Sequence, residues 1–212
     1  MDVLGFGLSP GDLAGVRPSS APRVGVSSCL LGQEVRWNGG HKRDHLVTDG
    51  LGRHLELIPV CPEVELGLGA PREPVSLYEK GGSVRMLGNR TGIDLTGRMK
   101  AFARRRADEL AAKELSGYVF KKDSPSCGLK GVRLHTDRGI TKDGRGLFAA
   151  ALIERFPHLP VIEETQLHDE RSRESFIERV FAYRRLRDFF ASKWTAEDLE
   201  AMSALSVRLR SH

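Results

Sequence analysis

The chain has three cysteines, Cys29, Cys61 and Cys127, and Gly32, Pro62 and Gly128 stand close after them. Cys29 ends the run "VGVSSC", Cys61 ends "LIPVC", and Cys127 lies in "KKDSPSCGLKG", shortly after the apolar "GYVF". An odd number of widely spaced cysteines, in a chain that shows no secretory pattern, argues against a disulfide framework and for a reducing, cytoplasmic setting. Thiolates are the ligands of choice for zinc, copper(I) and iron–sulfur clusters. None of the three belongs to a C-x-x-C pair, so the general zinc-finger and ferredoxin spacings do not apply. One isolated cysteine is an ordinary core residue. Three at equivalent places, each at or just past the end of an apolar run, read as a set.

Polar groups gather beside them. Glu63 follows Cys61 in "CPE", Ser28 precedes Cys29, and Ser124 and Ser126 flank Pro125. A carboxylate next to a metal-bound substrate can deprotonate or position water, and a serine hydroxyl can donate to developing negative charge. As turn formers, the same serines shape the loop. Lys and Arg number 33 against 28 Asp and Glu, a formal charge of +5. Arg36, Arg72, Lys121 and Lys122 are candidates for binding a phosphate on an anionic substrate. On helices, basic runs such as "RRR" at residues 104–106 are more often a solvated face.

These residues need a scaffold that brings distant loops together. Residues 24–28, 55–60, 116–122 and 159–164 read as strands, and residues 94–115 and 144–156 as helices ended by turn residues. A short helix is expected over 44–54, broken by Gly50 and Gly52, and a hairpin around Gly81 and Gly82. Strands alternating with helices predict an α/β domain, with a mostly parallel sheet flanked by helices in a Rossmann-like arrangement. In such a sheet the carboxyl ends share one edge, where loops form the ligand crevice. All three cysteines are expected on that edge.

Around this unit, residues 1–22 read as a flexible leader, 23–165 as the α/β domain and 166–212 as a helical extension. The extension has Phe176, Ile177, Val180, Tyr183 and Leu186 at helical spacing, and a second helix capped by Thr195. No apolar run reaches the roughly 18 residues of a membrane span.

The segments "SSCLLGQEVRWNGG", "PVCPEVELGLGAPREP" and "KKDSPSCGLKGV", in this order, resemble the three signature segments of the thiouracil desulfidase family. The likeness covers about residues 23–160, and the tail resembles the start of a helical domain often fused to this family. The resemblance implies a four-iron, four-sulfur cluster held by Cys29, Cys61 and Cys127, with one iron lacking a protein ligand. It further implies non-redox hydrolysis of a thiolated uracil, as base, nucleoside or nucleotide, with release of hydrogen sulfide. In that setting Glu63 is the acid or base, Ser126 or Ser124 orients water or the base, and Ser28, Arg36, Asn38, Arg72 and Lys121 are substrate contacts. Asn38 stands where the family often has Asp.

Two other readings use the same residues. One is a zinc hydrolase with three thiolates and a bound water. The other is a module that binds thiolated RNA without chemistry, supported by the positive charge and weakened by the lack of RRM or KH signatures.

Overall fold

The computed structural model describes residues 21–195 and 197. The leader expected over 1–22 and the second tail helix expected from Thr195 therefore lie outside the described residues, apart from residues 21, 22, 195 and 197.

Four strands, β1 (Arg23–Ser27), β2 (Glu56–Val60), β5 (Leu115–Phe120) and β8 (Val161–Glu163), form a parallel sheet in the order β2-β1-β5-β8. Four further strands, β3 (Val75–Lys80), β4 (Ser83–Gly88), β6 (Val132–Thr136) and β7 (Gly139–Gly144), form a second sheet in the order β4-β3-β6-β7. The β3–β4 hairpin turns at Gly81 and Gly82, both at positive φ, as the sequence predicts. Strand β7 carries no comparable sequence signal, because it exposes residue after residue and shows no alternation.

The central strand β5 is buried along its whole length, and its side chains divide between two cores. On one face Tyr118 and Phe120 pack with Met99, Phe102, Ala103 and Leu110 of helix α2 (Thr96–Ala112) and Phe148 and Leu152 of helix α3 (Leu147–Arg155). On the other, Val119 joins Val24, Val26 and Ile162 against Phe176 and Val180 of helix α4 (Glu170–Ala191). The expected α/β architecture is thus present, with helices on both faces. At Gly25 the sheet has no room for a side chain, since a Cβ there would lie 2.3 Å from Cδ2 of Tyr118.

Local signals explain most boundaries. Asp94 Oδ1 accepts the Thr96 amide at 2.8 Å where α2 begins. Helix α2 stops at Ala112, short of the expected residue 115, because Leu115 already starts β5. Over residues 44–54 the expected helix is instead a wide turn at Leu46–Gly50 and a tight 3-10 turn at Leu51–Arg53. The two glycines there disfavour a regular helix. Among the described residues no helix is long and apolar enough to cross a membrane.

Candidate metal and substrate site

Strand β1 is followed in the chain by β2 on one side of it, while β5 lies on its other side. This reversal of strand order marks the crevice of a doubly wound sheet, at the carboxyl ends of the strands. Cys29 sits there in a 3-10 turn, Ser28–Leu31, directly after β1. Cys61 follows β2 and begins the short helix α1 (Pro62–Glu65). Cys127 lies in the loop between β5 and β6. All three line one cavity of about 670 Å³, within the size range of small-molecule sites.

The Cys127 loop is held from several directions. Ser124 Oγ accepts the amides of Ser126 and Cys127 at 3.2 and 3.0 Å, and Ser124 O accepts the Gly128 amide at 2.8 Å. Helix α3 starts against this loop: Leu147 N donates to Pro125 O at 3.1 Å, and Phe148 N to Ser126 O at 3.0 Å. The approach is so close that a Cβ on Gly146 would lie 2.4 Å from Ser126 O. Beyond the cysteine, the buried Glu163 carboxylate accepts the Leu129 amide at 2.9 Å.

Against this loop, Glu63 has both carboxylate oxygens engaged. Its Oε2 accepts from Nε of Arg72 at 2.9 Å and from Nη2 at 2.5 Å, while Oε1 accepts from Ser126 Oγ at 2.7 Å. Arg72 also donates to Val35 O and Gly69 O. Oε1 keeps a lone pair beyond its bond to Ser126. The arrangement joins the Cys61 segment to the Cys127 loop through a single charged network.

Burial governs the thiols. It pushes Cys29 up to about 11, with Lys121 opposing the rise and Cys61 adding to it. Cys61 is raised by burial, against the Val64 amide. Cys127 is raised well above the usual range by burial, opposed by Ser27, with Glu63, Cys61 and Cys29 adding to the rise.

The other candidate residues fall as follows. Ser28 is buried and lines the cavity, as does Arg36. Lys121 Nζ is bound to Glu164 Oε1 at 2.6 Å and to Lys122 O at 2.9 Å, so its ammonium faces a carboxylate as well as the cavity. Arg72 lines the cavity with its guanidinium committed to Glu63 and two carbonyls. Asn38 is an exposed turn residue whose Oδ1 accepts the Gly40 amide at 3.2 Å, and it is absent from the cavity wall. Sequence reasoning missed Lys42, Arg133, His135 and Lys142, which also line the cavity. Arg133 and His135 were readable in the alternation of "VRLHT"; His135 stacks on Tyr78 with centroids 4.6 Å apart. Arg36, Lys42, Lys122, Arg133 and Lys142 form no ion pair among the described residues, and with Glu63 and Asp123 as the carboxylates on the same wall the lining is net positive.

The donor set can be tested against the two metal readings. Three thiolates on one zinc ion, at about 2.3 Å each, must crowd together. Among the described residues no three Cys, His, Asp or Glu side chains are grouped to hold one ion. Three thiols on separate loops that open on one cavity match the ligand chemistry of an iron–sulfur cluster.

The sequence model of the 2-thiouracil desulfurase family matches residues 24–164. The protein YbbK of Bacillus subtilis (strain 168) is 32% identical over 149 residues, which are 68% of this chain and 97% of YbbK. The solved structure of the [4Fe-4S]-dependent thiouracil desulfidase TudS is 32% identical, with a TM-score of 0.57, over 70% of this chain and 94% of that one.

Proposed function

We propose, for a chain that belongs to the 2-thiouracil desulfurase family, that this cavity removes sulfur from a thiolated uracil by hydrolysis, with Cys29, Cys61 and Cys127 holding a [4Fe-4S] cluster. Held by three thiolates, such a cluster would keep one iron free of protein ligand and would supply Lewis acidity toward the substrate sulfur. The observation that carries the reading is the opening of all three thiols on one cavity, with the Glu63 carboxylate held beside them by Arg72 and Ser126.

The chain's own residues account for the proton movements. Arg72 fixes the plane of Glu63 through two hydrogen bonds to Oε2, leaving Oε1 to act. Oε1 takes a proton from water as the water oxygen bonds to the thiocarbonyl carbon. As the carbon–sulfur bond breaks, the protons lost by water pass to sulfur, and the products are the carbonyl and hydrogen sulfide. No electron is gained or lost overall. Ser126, which donates to Oε1 at 2.7 Å, is fully buried, is absent from the cavity wall and fixes the position of that oxygen. Ser124 acts on the loop backbone and positions Cys127.

The cavity-lining cations that form no ion pair among the described residues favour a substrate with a phosphate, hence a thiolated nucleotide over the free base. Arg36 keeps the role expected for it, and Lys42, Lys122, Arg133 and Lys142 join it. Asn38 is left out of the substrate contacts. Residues 23–165 then form the catalytic domain, to which α4 adds a packed face.

The test is sulfide release from 2- and 4-thiouracil, their nucleosides and their nucleotides by anaerobically reconstituted protein, with iron and zinc counted on the same sample. The expected result is an iron-loaded brown protein that releases one sulfide per substrate, fastest on a nucleotide. Sulfide release by zinc-loaded, iron-free protein would refute the cluster reading.

A further inference from the structure

Strand β8 ends at Glu163 and runs straight into the tight turn Glu164–His168, so two glutamates stand side by side at its carboxyl end. Both are buried, at 2% and 6% exposure. A buried carboxylate is costly unless it is paired or hydrogen-bonded, so each has to be held by something. Neither lines the cavity, and the chemistry proposed above uses neither.

Both are tied to one loop. Glu164 Oε1 accepts from Lys121 Nζ at 2.6 Å, and its Oε2 accepts the Lys122 amide at 2.7 Å. Glu163 Oε1 accepts the Leu129 amide at 2.9 Å and the Lys130 amide at 3.5 Å. The first set of contacts stands before Cys127 in the chain and the second after it. Asp123, between the two, takes a φ of 60°, a left-handed conformation that a residue other than glycine keeps where its surroundings hold it. Ser124 shapes the loop from within and α3 supports its middle, whereas the glutamates fasten its two ends to the sheet. Glu163 is also locked from behind, since its side chain accepts the Gln166 amide and the Gln166 side chain accepts the Glu163 amide at 3.1 Å. The turn is in turn fastened to α4, where Arg173 Nη1 donates to Leu167 O at 2.9 Å.

We infer that Glu163 and Glu164 are positioning residues of the metal centre, a clamp on both ends of the Cys127 loop that holds this thiol in place for the cluster. The inference rests on the cluster reading above. A ligand that must meet a cluster in one geometry gains from a loop fixed beforehand, and contacts behind the ligands change metal affinity by roughly 10- to 100-fold. The wall formed by Lys121, Lys122, Ser124 and Cys127 is held by the same clamp.

The experiment compares wild type, Glu163→Ala, Glu164→Ala and Glu163→Gln, each as the full chain. In metal-free protein, alkylation is followed at each cysteine by mass spectrometry. Without a carboxylate to accept its amides the loop opens more often, so Cys127 is expected to react about 10-fold faster in both alanine variants, with Cys29 and Cys61 unchanged. Glu163→Gln keeps an acceptor oxygen for the Leu129 amide and is expected closer to wild type than to Glu163→Ala. After anaerobic reconstitution, iron is expected to pass to a chelator about 10-fold faster from the alanine variants. Labelling of Cys127 at the wild-type rate in both alanine variants overturns the inference, and so does an equal rise at all three cysteines, which marks general loosening. Faster labelling with unchanged iron loss overturns it too, because the clamp would then serve the loop and not the metal. If the alanine variants do not fold, hydrogen exchange of the wild-type amides decides: Lys122 and Leu129 are expected to be protected like β5, and exchange as fast as in the exposed turn at Gly81 and Gly82 overturns the clamp. If wild type takes up no cluster, the cluster reading falls by itself, while labelling of Cys127 still decides whether the clamp holds the loop.

Discussion

Substituting Arg72 by Met isolates the contact on which the proposed chemistry depends. Arg72 and Glu63 have side chains only 8% and 13% exposed, so their pairing is largely desolvated. Removing one partner of a buried pair leaves the other charge uncompensated, a loss of roughly 3–5 kcal/mol. Because neither group is fully enclosed, about 3 kcal/mol is the better expectation for Arg72→Met. With a urea slope of about 2 kcal/mol per M, the unfolding midpoint falls by about 1.5 M. Part of this loss comes from Val35 O and Gly69 O, which also lose their donor. A double-mutant cycle with Glu63→Gln removes that part, since it is common to both backgrounds. The assay is urea unfolding of the four metal-free proteins, where two-state behaviour can be verified with two probes. A coupling energy of about 2 kcal/mol is expected. A value below about 0.5 kcal/mol would show that the guanidinium does not hold the carboxylate, and the assignment of Oε1 as the base would lose its support.

Cys127→Ser is expected to fail to retain iron, whereas Glu63→Gln retains it and releases no sulfide; iron counts and sulfide assays on the same preparations separate the two roles. Alkylation of the metal-free protein should label the half-buried Cys61 before Cys29, which is 9% exposed, and Cys127, at 5%, as read by mass spectrometry. Arg133→Ala combined with Lys142→Ala should raise KM for a thiolated nucleotide about 10-fold or more, consistent with the loss of charge-assisted hydrogen bonds, and leave KM for the free base unchanged. Glu73 accepts bonds from Thr91 Oγ1 at 2.6 Å and from the Arg90 and Thr91 amides, with the hydroxyl contributing most to holding it below its ordinary value of 4.5. Its folded-state value being depressed, its stabilising effect is present above the unfolded value and is lost as pH falls through the folded one. Melting curves of Glu73→Gln should therefore lie below wild type at neutral pH and converge with it in acid.

Much of the fold was legible because its signals are local. Apolar runs located β1, β2, β5 and β8, and the period of Phe102, Ala103, Ala107 and Leu110 located α2. The sheet of β6 and β7 was not legible. Its strands are short, and β7 is exposed from Gly139 to Asp143, so no hydrophobic pattern records its pairing with β6. That omission hid Arg133, His135 and Lys142 from the cavity. Lys121 and Arg72 were identified as cations near the site, but whether a cation meets substrate or a carboxylate depends on how the chain folds back on itself, here bringing Glu164 to Lys121 and Glu63 to Arg72.

The amino-acid sequence alone determined that three thiols follow strand ends, that a carboxylate and two serines accompany them, and that strand and helix alternate. These are properties of spacing and local propensity, which short segments carry by themselves. Only the tertiary structure decided that Glu63 meets Arg72 and Ser126, and that Arg36, Lys42, Lys122, Arg133 and Lys142 line the cavity without ion pairs among the described residues. Glu63 and Ser126 stand 63 residues apart, and their meeting is fixed by how the loops at the carboxyl ends of the parallel sheet are packed.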